Sequence, residues 1–250
     1  MLKSSLYCNY DSLNRNMMKS KVEFHCHTSN SFDCDVLLSE RIKSYASLGF
    51  THLTITDHDE VLNKQDLTVI SSYDRFMQVI PGIEISTHVG HIILLNCKKK
   101  PWFNSLFFLV IWSKLSRSQI YIPHPFRKGT GLLIEYVVNK LPTWYILWFL
   151  KHVKYVEIWN PRDTLKDKVK VDYSICKMLE NKLWTIASDS HFINDIHIEG
   201  CPFEGLSSND PLVIRFFNQN MELAKVDIAL TLRAALRYFK SALRYALKQL

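Results

Sequence analysis

The sequence predicts an α/β fold in which strands and helices alternate around a barrel. Short apolar, strand-like runs recur along the chain, and most of them end in His, Asp or Glu. In barrels built this way, the carboxyl ends of the strands form the rim where active sites are assembled. Segments with helical character lie between the runs, at about 36–48, 62–77, 130–150 and 165–181. This spacing is typical of βα units with a mostly parallel sheet, and 250 residues suit one such domain.

The first apolar run, Val-Glu-Phe-His-Cys-His-Thr at 22–28, carries the most informative pattern. Side chains alternate between the two faces of a strand, so His25 and His27 should lie on one face and Cys26 on the other. Two converging imidazoles make half of a metal site. The later runs carry further residues of the same kinds at their ends: Asp57, His58, Asp59, Glu84, His91, His124, Asp189 and His191.

Each of these residues also has an ordinary structural interpretation. An isolated histidine such as His91 or His124 is more often a hydrogen-bonded structural residue, and Asp57 suits a helix N-cap or a turn. Glu84 fits a solvated strand edge, and Asp33 fits a turn in which its side chain bonds the backbone. Unrelated His, Asp and Glu residues would not all lie at strand ends in a repeating order by chance. The interpretation of these residues together as a metal site is therefore favoured.

The types of ligand indicate a chemistry. A mixture of imidazole and carboxylate suits Zn, Mn or Fe, whereas structural zinc sites use thiolates and calcium sites use oxygen alone. Several such ligands on one rim can hold two metals about 4 Å apart, where a bridging water becomes a hydroxide nucleophile and the metals neutralise phosphate oxygens. Arg127 is a candidate for a forked contact to a phosphate oxygen, or else a surface arginine. Asn160 and Arg162 are further candidates for substrate contact, and Glu157 is expected either near the ligands or paired in the core.

The motifs together resemble the PHP (polymerase and histidinol phosphatase) family of metal-dependent phosphoesterases. The similarity covers about 21–205 and rests on HCHT at 25–28, SFD at 31–33, TDHD at 56–59, PGIEIS at 81–86, GH at 90–91, PHPFR at 123–127 and SDSH at 188–191. The resemblance implies a distorted (β/α)7 TIM-like barrel that holds two to three divalent metal ions.

The resemblance also implies how the ligands are grouped. One metal would be held by His25, His27, Glu84 and Asp189, a second by His91 and His124 with Glu84 as the bridge, and a third by Asp33, His58 and His191. The expected catalytic residues are Glu84, Asp189 and Arg127. Two positions depart from the family's pattern, which often has Asp where this chain has Glu23 and Gly where it has Cys34. The first departure concerns the residues around the ligands, which adjust the properties of the bound metal. The second places a thiol, most simply a structural one, near the third metal.

Three regions are expected along the chain: a flexible N-terminal extension at 1–20, the PHP barrel at 21–215 and a basic amphipathic C-terminal helix at 216–250. Residues 222–250 contain neither Gly nor Pro and are rich in Ala, Leu, Lys and Arg, which favours a helix. Its leucines share one face and its basic residues flank them. Packing on the barrel or on a second subunit, contact with an anionic membrane, and contact with nucleic acid are all open interpretations. The helix supplies much of the net charge of +7.

The remaining composition indicates a cytoplasmic protein. The six cysteines form no CxxC pair and are expected to be reduced and buried, and the polar first twenty residues do not resemble a secretory signal. The apolar stretches at 106–112 and 144–150 are too short to span a membrane. We expect them to be core helices, with a contact surface as the alternative because of their tryptophans.

The expected reaction is hydrolysis of a phosphomonoester, in a small phosphorylated substrate, by a metal-bound hydroxide. A phosphodiesterase or exonuclease acting on nucleotides is the main alternative, since the same centre cleaves diesters. A non-catalytic metal-binding module is a third hypothesis. Hydrolysis of a C–N bond, as in amidohydrolases, would usually require a carbamylated lysine between the metals, and no lysine lies at the end of a motif strand.

Overall fold

The computed structural model describes residues 20–73, 77–162, 169–196, 200–202, 205–207, 209–210 and 221–224. Its strands are β1 (Lys21–Cys26), β2 (His52–Ile55), β3 (Gln78–Thr87), β4 (Gly90–Leu95), β5 (Gln119–Ile122), β6 (Val153–Trp159), β7 (Val169–Asp172), β8 (Leu183–Ile186), β9 (Cys201–Pro202) and β10 (Met221–Ala224). Its α-helices are α1 (Leu38–Ser47), α2 (Lys64–Ser71), α3 (Leu106–Ser116), α4 (Leu132–Val138), α5 (Thr143–Leu150) and α6 (Tyr173–Glu180). A single 3-10 turn occupies Ile193–Asp195.

Seven strands, β1 to β6 and β8, wrap into a nearly closed barrel. The sheet runs in the order β8-β6-β5-β4-β3-β2-β1-β9, and β7 pairs separately with β10. The seam between β1 and β8 is bridged where Cys26 meets Ser190. There the Asp189 amide donates to the His25 carbonyl over 2.8 Å, and the His27 amide donates to the Ser190 carbonyl over 3.0 Å. The predicted distorted barrel is therefore confirmed.

One strand departs from the predicted βα alternation. The strands β3 and β4 form an antiparallel hairpin with no helix between them, and β4 is also antiparallel to β5. Gly90 closes the turn with a φ of 96°, and a Cβ there would lie 2.4 Å from the Thr130 carbonyl oxygen, so only glycine fits. Because β4 runs backwards, His91 at its start lies on the same rim as residues at the ends of the parallel strands.

The core lies in two hydrophobic clusters. The larger one joins residues of the sheet with residues of α3, α4, α5 and α6, and it includes Phe24, Ile93, Tyr121 and Trp184. The smaller one packs α1 against β1 and β2 and includes Cys26, Ile42, Tyr45, Leu53 and Ile55. Cys26 therefore faces away from the two flanking histidines, as strand alternation predicts.

Two predicted helices have different bounds in the structure. The segment at 130–150 is two helices, because Pro142 disfavours helical backbone at the residue before it and Lys140 turns with a φ of 49°. In the segment at 165–181, whose residues 165–168 lie outside the described ranges, β7 occupies 169–172 and pairs in parallel with β10, and the helix begins at Tyr173.

The predicted C-terminal helix at 216–250 is wrong over 221–224, the part that the structure describes. Residues 222–224 belong to β10, because their backbone pairs with β7. The rest of that helix, 216–220 and 225–250, and residues 1–19 of the predicted N-terminal extension at 1–20 lie outside the described residues. The division into domains and the contacts proposed for the tail therefore stay predictions.

The five cysteines in the described ranges, which leave out Cys8, are buried and form no disulfide. In the same ranges, none of the helices has the length and apolar character needed to cross a membrane.

Candidate metal centre

The end of β1 places two imidazoles side by side inside the barrel. His25 and His27 are fully buried, and their Nε2 atoms lie 3.2 Å apart. Each Nε2 also lies close to the same two carboxylates, at 3.2 Å from Glu84 Oε2 and at 3.3 or 3.4 Å from Asp189 Oδ1. The four side chains that the resemblance assigns to one metal therefore converge on a single point.

The Glu84 carboxylate is the centre of the whole cluster. It lies on β3 and is fully buried. Its Oε2 faces His25, His27 and, at 3.3 Å, His58 Nδ1. Its Oε1 lies 2.9 Å from His91 Nδ1 and 3.1 Å from His124 Nε2. One carboxylate with a different set of imidazoles on each oxygen has the arrangement of a bridging ligand.

Asp189 and His124 reach the cluster through unusual backbone conformations. Asp189 follows β8 with a φ of 49°, and His124 follows β5 with a φ of 25°. Non-glycine residues seldom adopt positive φ, and such residues concentrate at functional sites. The second oxygen of Asp189 accepts a 2.6 Å hydrogen bond from Arg127.

A third group of side chains lies toward the outside of the rim. His191 Nε2 is 3.0 Å from Asp33 Oδ2, and His58 Nε2 is 3.6 Å from the same oxygen. The side chain of Asp33 is 32% exposed, whereas the other predicted ligands are buried or nearly so. The rings of His58 and His191 both pack against the ring of His27, with centroids 4.5 and 4.1 Å away.

The donor set fits divalent metal ions. Three overlapping groups offer ligand atoms that lie within 4.8 Å of one another: His25 with His27, Glu84 and Asp189; His58 with Glu84 and His91; and His27 with His58 and His191. Within the described ranges, the buried imidazole nitrogens His58 Nδ1 and His191 Nε2 lie beside a carboxylate oxygen but make no hydrogen bond, and His124 Nδ1 makes none either. A buried nitrogen without a partner is costly, and a metal would satisfy it.

The electrostatics of the cluster prepare the carboxylates to bind a cation. Burial opposes the ionisation of Glu84, but the charge of His25 and the hydrogen bond from His124 outweigh it and hold the pKa of Glu84 well below its ordinary value. Burial likewise opposes the ionisation of Asp189, whereas His25 and Arg127 hold the pKa of Asp189 well below its ordinary value. Both groups are therefore anionic at neutral pH.

The histidines fall into two groups that differ in the direction of their pKa shift. Burial alone would lower the pKa of His25, but Asp189 and Glu84 raise it well above its ordinary value. The same two carboxylates raise the pKa of His27 against the effect of burial. By contrast, burial and the nearby charge of His27 lower the pKa of His191 to about 4. Without metal, His25 and His27 therefore retain a proton to higher pH than His191 does.

Metal binding should weaken as the pH falls. A metal needs the neutral imidazole, so it must displace the protons that His25 and His27 retain because their pKa values are raised. We expect metal affinity to rise with pH through the neutral range and binding to release protons. Isothermal titration calorimetry in buffers of different ionisation enthalpy measures that release. An affinity that does not change between pH 6 and pH 8 would contradict this assignment of the protons.

A fully buried carboxylate, Glu157 of β6, supports the histidines from behind. Its Oε2 lies 3.0 Å from His25 Nδ1 and accepts a 2.7 Å bond from the Tyr121 hydroxyl. Its Oε1 accepts from the His124 amide at 3.2 Å and from the Asn160 side chain. A carboxylate on the far nitrogen of a metal-binding histidine fixes the ring and raises its basicity.

We expect Glu157→Gln to lower metal affinity by about 10- to 100-fold, the usual effect of losing such a partner. Gln keeps the shape of the side chain but removes the negative charge that faces His25 Nδ1. Competition with a coloured chelator measures the change. Glu135→Gln on α4 is the matched control, since Glu135 bonds the Gly129 amide and Asn139 instead. Equal affinities in the two variants would show that Glu157 is only a packing residue.

Two buried residues that the sequence analysis assigned no role among the ligands hold the closing seam. Arg41 of α1 is fully buried and donates to the His27 carbonyl at 2.9 Å and to the Ser190 carbonyl at 3.2 Å. Its sequence signal is a basic residue on the apolar face of α1, next to Ile42. Glu23 accepts from the amides of His25 and Ser188, both at 3.0 Å. It departs from the family's pattern, and burial raises the pKa of Glu23 to about 7.

Asp57 shapes the turn after β1 and is not a ligand in this geometry. Its carboxylate accepts from the Thr28 amide at 2.6 Å and the Thr28 hydroxyl at 2.8 Å. It also contacts the Ser31 hydroxyl at 3.2 Å, and that hydroxyl in turn lies 3.0 Å from His27 Nδ1 and accepts from the His58 amide at 2.8 Å. These contacts agree with the interpretation of Asp57 as a turn residue.

The three predicted substrate contacts differ in position. Arg127 lies at the rim with a side chain 23% exposed, bonded to Asp189 and, at 3.0 Å, to Asn160 Oδ1. Asn160 is buried and connects Arg127 with Glu157, so it positions other side chains. Arg162 is exposed beside His191 Nδ1 and lies 3.5 Å from the Asp189 carbonyl oxygen. The structure thus brings two arginines to the mouth and leaves Asn160 below it.

Two solved structures with a similar fold are a predicted phosphoesterase and an amidohydrolase by name. A two-domain protein of Bacteroides vulgatus that contains a predicted PHP-like metal-dependent phosphoesterase is similar with a TM-score of 0.52 and 17% identity, over 69% of this chain and 52% of that chain. This chain thus spans about half of that protein. An amidohydrolase of Chromobacterium violaceum, solved with sulfate and no metal, has a TM-score of 0.51 and 14% identity, over 80% of this chain and 96% of that one. No family model and no curated protein matches the chain. At this identity the likeness shows the fold alone, which is the barrel of these two proteins.

Proposed function

We propose that the chain is a metal-dependent phosphoesterase that hydrolyses phosphomonoesters of small molecules. The observation that carries the proposal is the Glu84 carboxylate, which contacts imidazoles with both oxygens and lies beside Asp189. A shared carboxylate among histidines is the donor arrangement of hydrolytic centres with more than one metal. We propose two or three ions of Zn, Mn or Fe, held in the grouping that the resemblance implies.

Such metals, when bound, lower the pKa of a water so that it attacks at neutral pH, and they neutralise the charge on the phosphoryl group. The chain's own residues hold this arrangement. Glu84 and Asp189 are ionised and buried, so they balance the cationic charge without competition from bulk water. Glu157 keeps the ring of His25 in one orientation by contacting its Nδ1.

The arginines at the mouth supply the contact for the phosphoryl oxygens. Arg127 presents a planar fork whose nitrogens already contact Asp189 and Asn160, so the guanidinium is oriented beside the ligands. Arg162 adds a second positive charge next to His191. Two positive charges at the entrance favour a dianionic monoester over a singly charged diester.

A nucleotide phosphodiester is the second candidate substrate, and the exposed aromatics at the rim favour it. Phe32 is 87% exposed and lies next to the His58 ring, at 5.4 Å between centroids. Phe192 beside His191 is 60% exposed. Exposed rings of this kind offer a stacking surface for a base.

The deciding experiment is turnover of a small substrate panel with added Mn or Zn. The panel contains p-nitrophenyl phosphate, bis-p-nitrophenyl phosphate, a nucleotide bisphosphate and a phosphotyrosine peptide. We expect hydrolysis of monoesters that a chelator abolishes. Hydrolysis confined to diesters would transfer the assignment to the nucleotide reaction. Absence of any turnover by protein that carries metal would overturn the enzymatic proposal in favour of a non-catalytic metal-binding module.

A further inference from the structure

The face formed by α3, α5 and the segment before α3 exposes an unusual amount of aromatic and aliphatic surface. We call it the α3–α5 surface, and its exposed apolar residues are Trp102, Phe103, Phe107, Phe108, Ile111, Leu115 and Trp144. Trp102 is 83% exposed and Leu115 is 76% exposed. Large contiguous apolar patches are rare on soluble proteins and usually mark a surface that binds something.

The rings contact one another, so the surface is continuous. Phe103 packs on Phe108 with centroids 4.6 Å apart, and this contact joins the preceding segment to α3. Phe107 stacks on Trp148 at 5.8 Å, which joins α3 to α5. The half-buried Trp148 continues to Tyr145 at 5.9 Å.

All formal charges of the segments that build this surface are positive. There is no Asp or Glu at 97–118 or at 136–156. The basic residues of the two segments are all exposed: Lys98, Lys99, Lys100, Lys114, Arg117, Lys140, Lys151 and Lys154. Of these, Lys100 is paired with Glu60 at 3.4 Å. The segments that carry the exposed aromatic residues therefore have a net positive charge, which favours an anionic binding partner.

The segment with three consecutive lysines is held in place beside the aromatic residues. The Cys97 amide donates to the Pro81 carbonyl at 2.9 Å, and the Cys97 thiol donates to the Lys99 carbonyl at 3.1 Å. Beyond the aromatics, the Asn104 side chain donates to the Ser86 carbonyl at 2.9 Å. These bonds fix the segment at both ends, and Lys100, Trp102 and Phe103 line one cavity.

We propose that the α3–α5 surface binds the face of an anionic lipid bilayer. Tryptophan and phenylalanine enter the interfacial region, while lysine stems lie along apolar surface and keep their ammonium groups at the lipid phosphates. Protein interfaces are depleted of lysine, whereas polybasic segments beside apolar anchors are typical of peripheral membrane binding. This inference does not depend on the reaction that the metal centre performs.

The test is co-sedimentation of the full chain with vesicles of phosphatidylcholine alone or with 30% phosphatidylserine. We expect binding to the anionic vesicles that weakens with salt. Replacing Trp102→Ala and Phe103→Ala together should lower the partition coefficient by about tenfold or more. Lys98→Gln and Lys99→Gln should each lower it by about fivefold.

The matched control is Lys64→Gln with Leu67→Ala on α2, which covers a different part of the sheet and exposes a lysine next to an apolar side chain. The control should bind as the unsubstituted chain does, and circular dichroism should show that all variants remain folded. Three outcomes would overturn the proposal: no binding to anionic vesicles at low salt, equal loss in the control, or a dimer that the Trp102 and Phe103 substitutions dissociate while vesicles are not bound.

Discussion

Asp189→Asn should abolish turnover and leave the barrel folded. The substitution removes the negative charge that faces both His25 and His27, so the proposed first metal would lose one of its two anionic ligands. Metal ions stabilise a phosphoryl transition state by several kcal/mol, and each 1.4 kcal/mol changes the rate tenfold. We therefore expect turnover to fall by about a thousandfold. Asparagine tolerates the left-handed backbone that Asp189 adopts at a φ of 49°, so the fold should be unchanged.

Metal content, turnover of p-nitrophenyl phosphate and the thermal unfolding midpoint are measured together on this variant. Asp59→Asn is the matched control, since Asp59 is another aspartate with positive φ, 53°, but its carboxylate accepts from the Ser86 amide outside the cluster. The control should retain activity. Retained turnover in Asp189→Asn would contradict the assignment of Asp189 as a ligand, and loss in both variants would indicate general damage to the rim.

Glu84→Gln should have an effect of similar size and should also change the number of metals bound. Glutamine offers one acceptor oxygen where Glu84 has two, and it removes the charge shared between the His25 side and the His91 side of the cluster. We expect at least one metal ion fewer per chain and a loss of turnover of about a thousandfold. Plasma mass spectrometry of desalted protein measures the stoichiometry.

Glu23→Gln is the appropriate control for that experiment. Glu23 is equally buried and two residues from His25, but its carboxylate accepts from backbone amides and from Tyr45, and its pKa is raised to about 7. A neutral amide should therefore replace it at little cost. Full metal content in Glu84→Gln would show that Glu84 is a structural carboxylate that only neutralises protonated histidines.

The ligand candidates were predictable from the sequence because their information is local. His25 and His27 are two apart on a strand, and the other candidates each follow or begin an apolar run, so topology alone brings them to one rim. The position of His91 followed even though β4 runs backwards, because the start of an antiparallel strand lies at the same edge as the ends of its parallel neighbours.

The support around the ligands was predictable only in part, since the sequence indicated Glu157 near the ligands or in the core but did not specify its partner. Glu157 meets His25 across 132 positions of sequence, and Arg41 reaches Ser190 across 149. No local pattern specifies such partners. The wrong helix bounds had a different cause. Local signals against a helix were present in the sequence, but a longer helical pattern outweighed them in the prediction. Pro142 divides 130–150, and the alternating Val169 to Asp172 is typical of a strand.

The most direct test of metal-dependent hydrolysis measures turnover and metal content in a single titration. Protein stripped with chelator is loaded stepwise with Mn or Zn, and hydrolysis of p-nitrophenyl phosphate is recorded against the metal bound per chain. We expect turnover to be absent in the stripped protein, to rise with bound metal, and to remain absent in Asp189→Asn at every loading. Turnover that is independent of metal, or protein that binds no metal at neutral pH, would contradict this expectation.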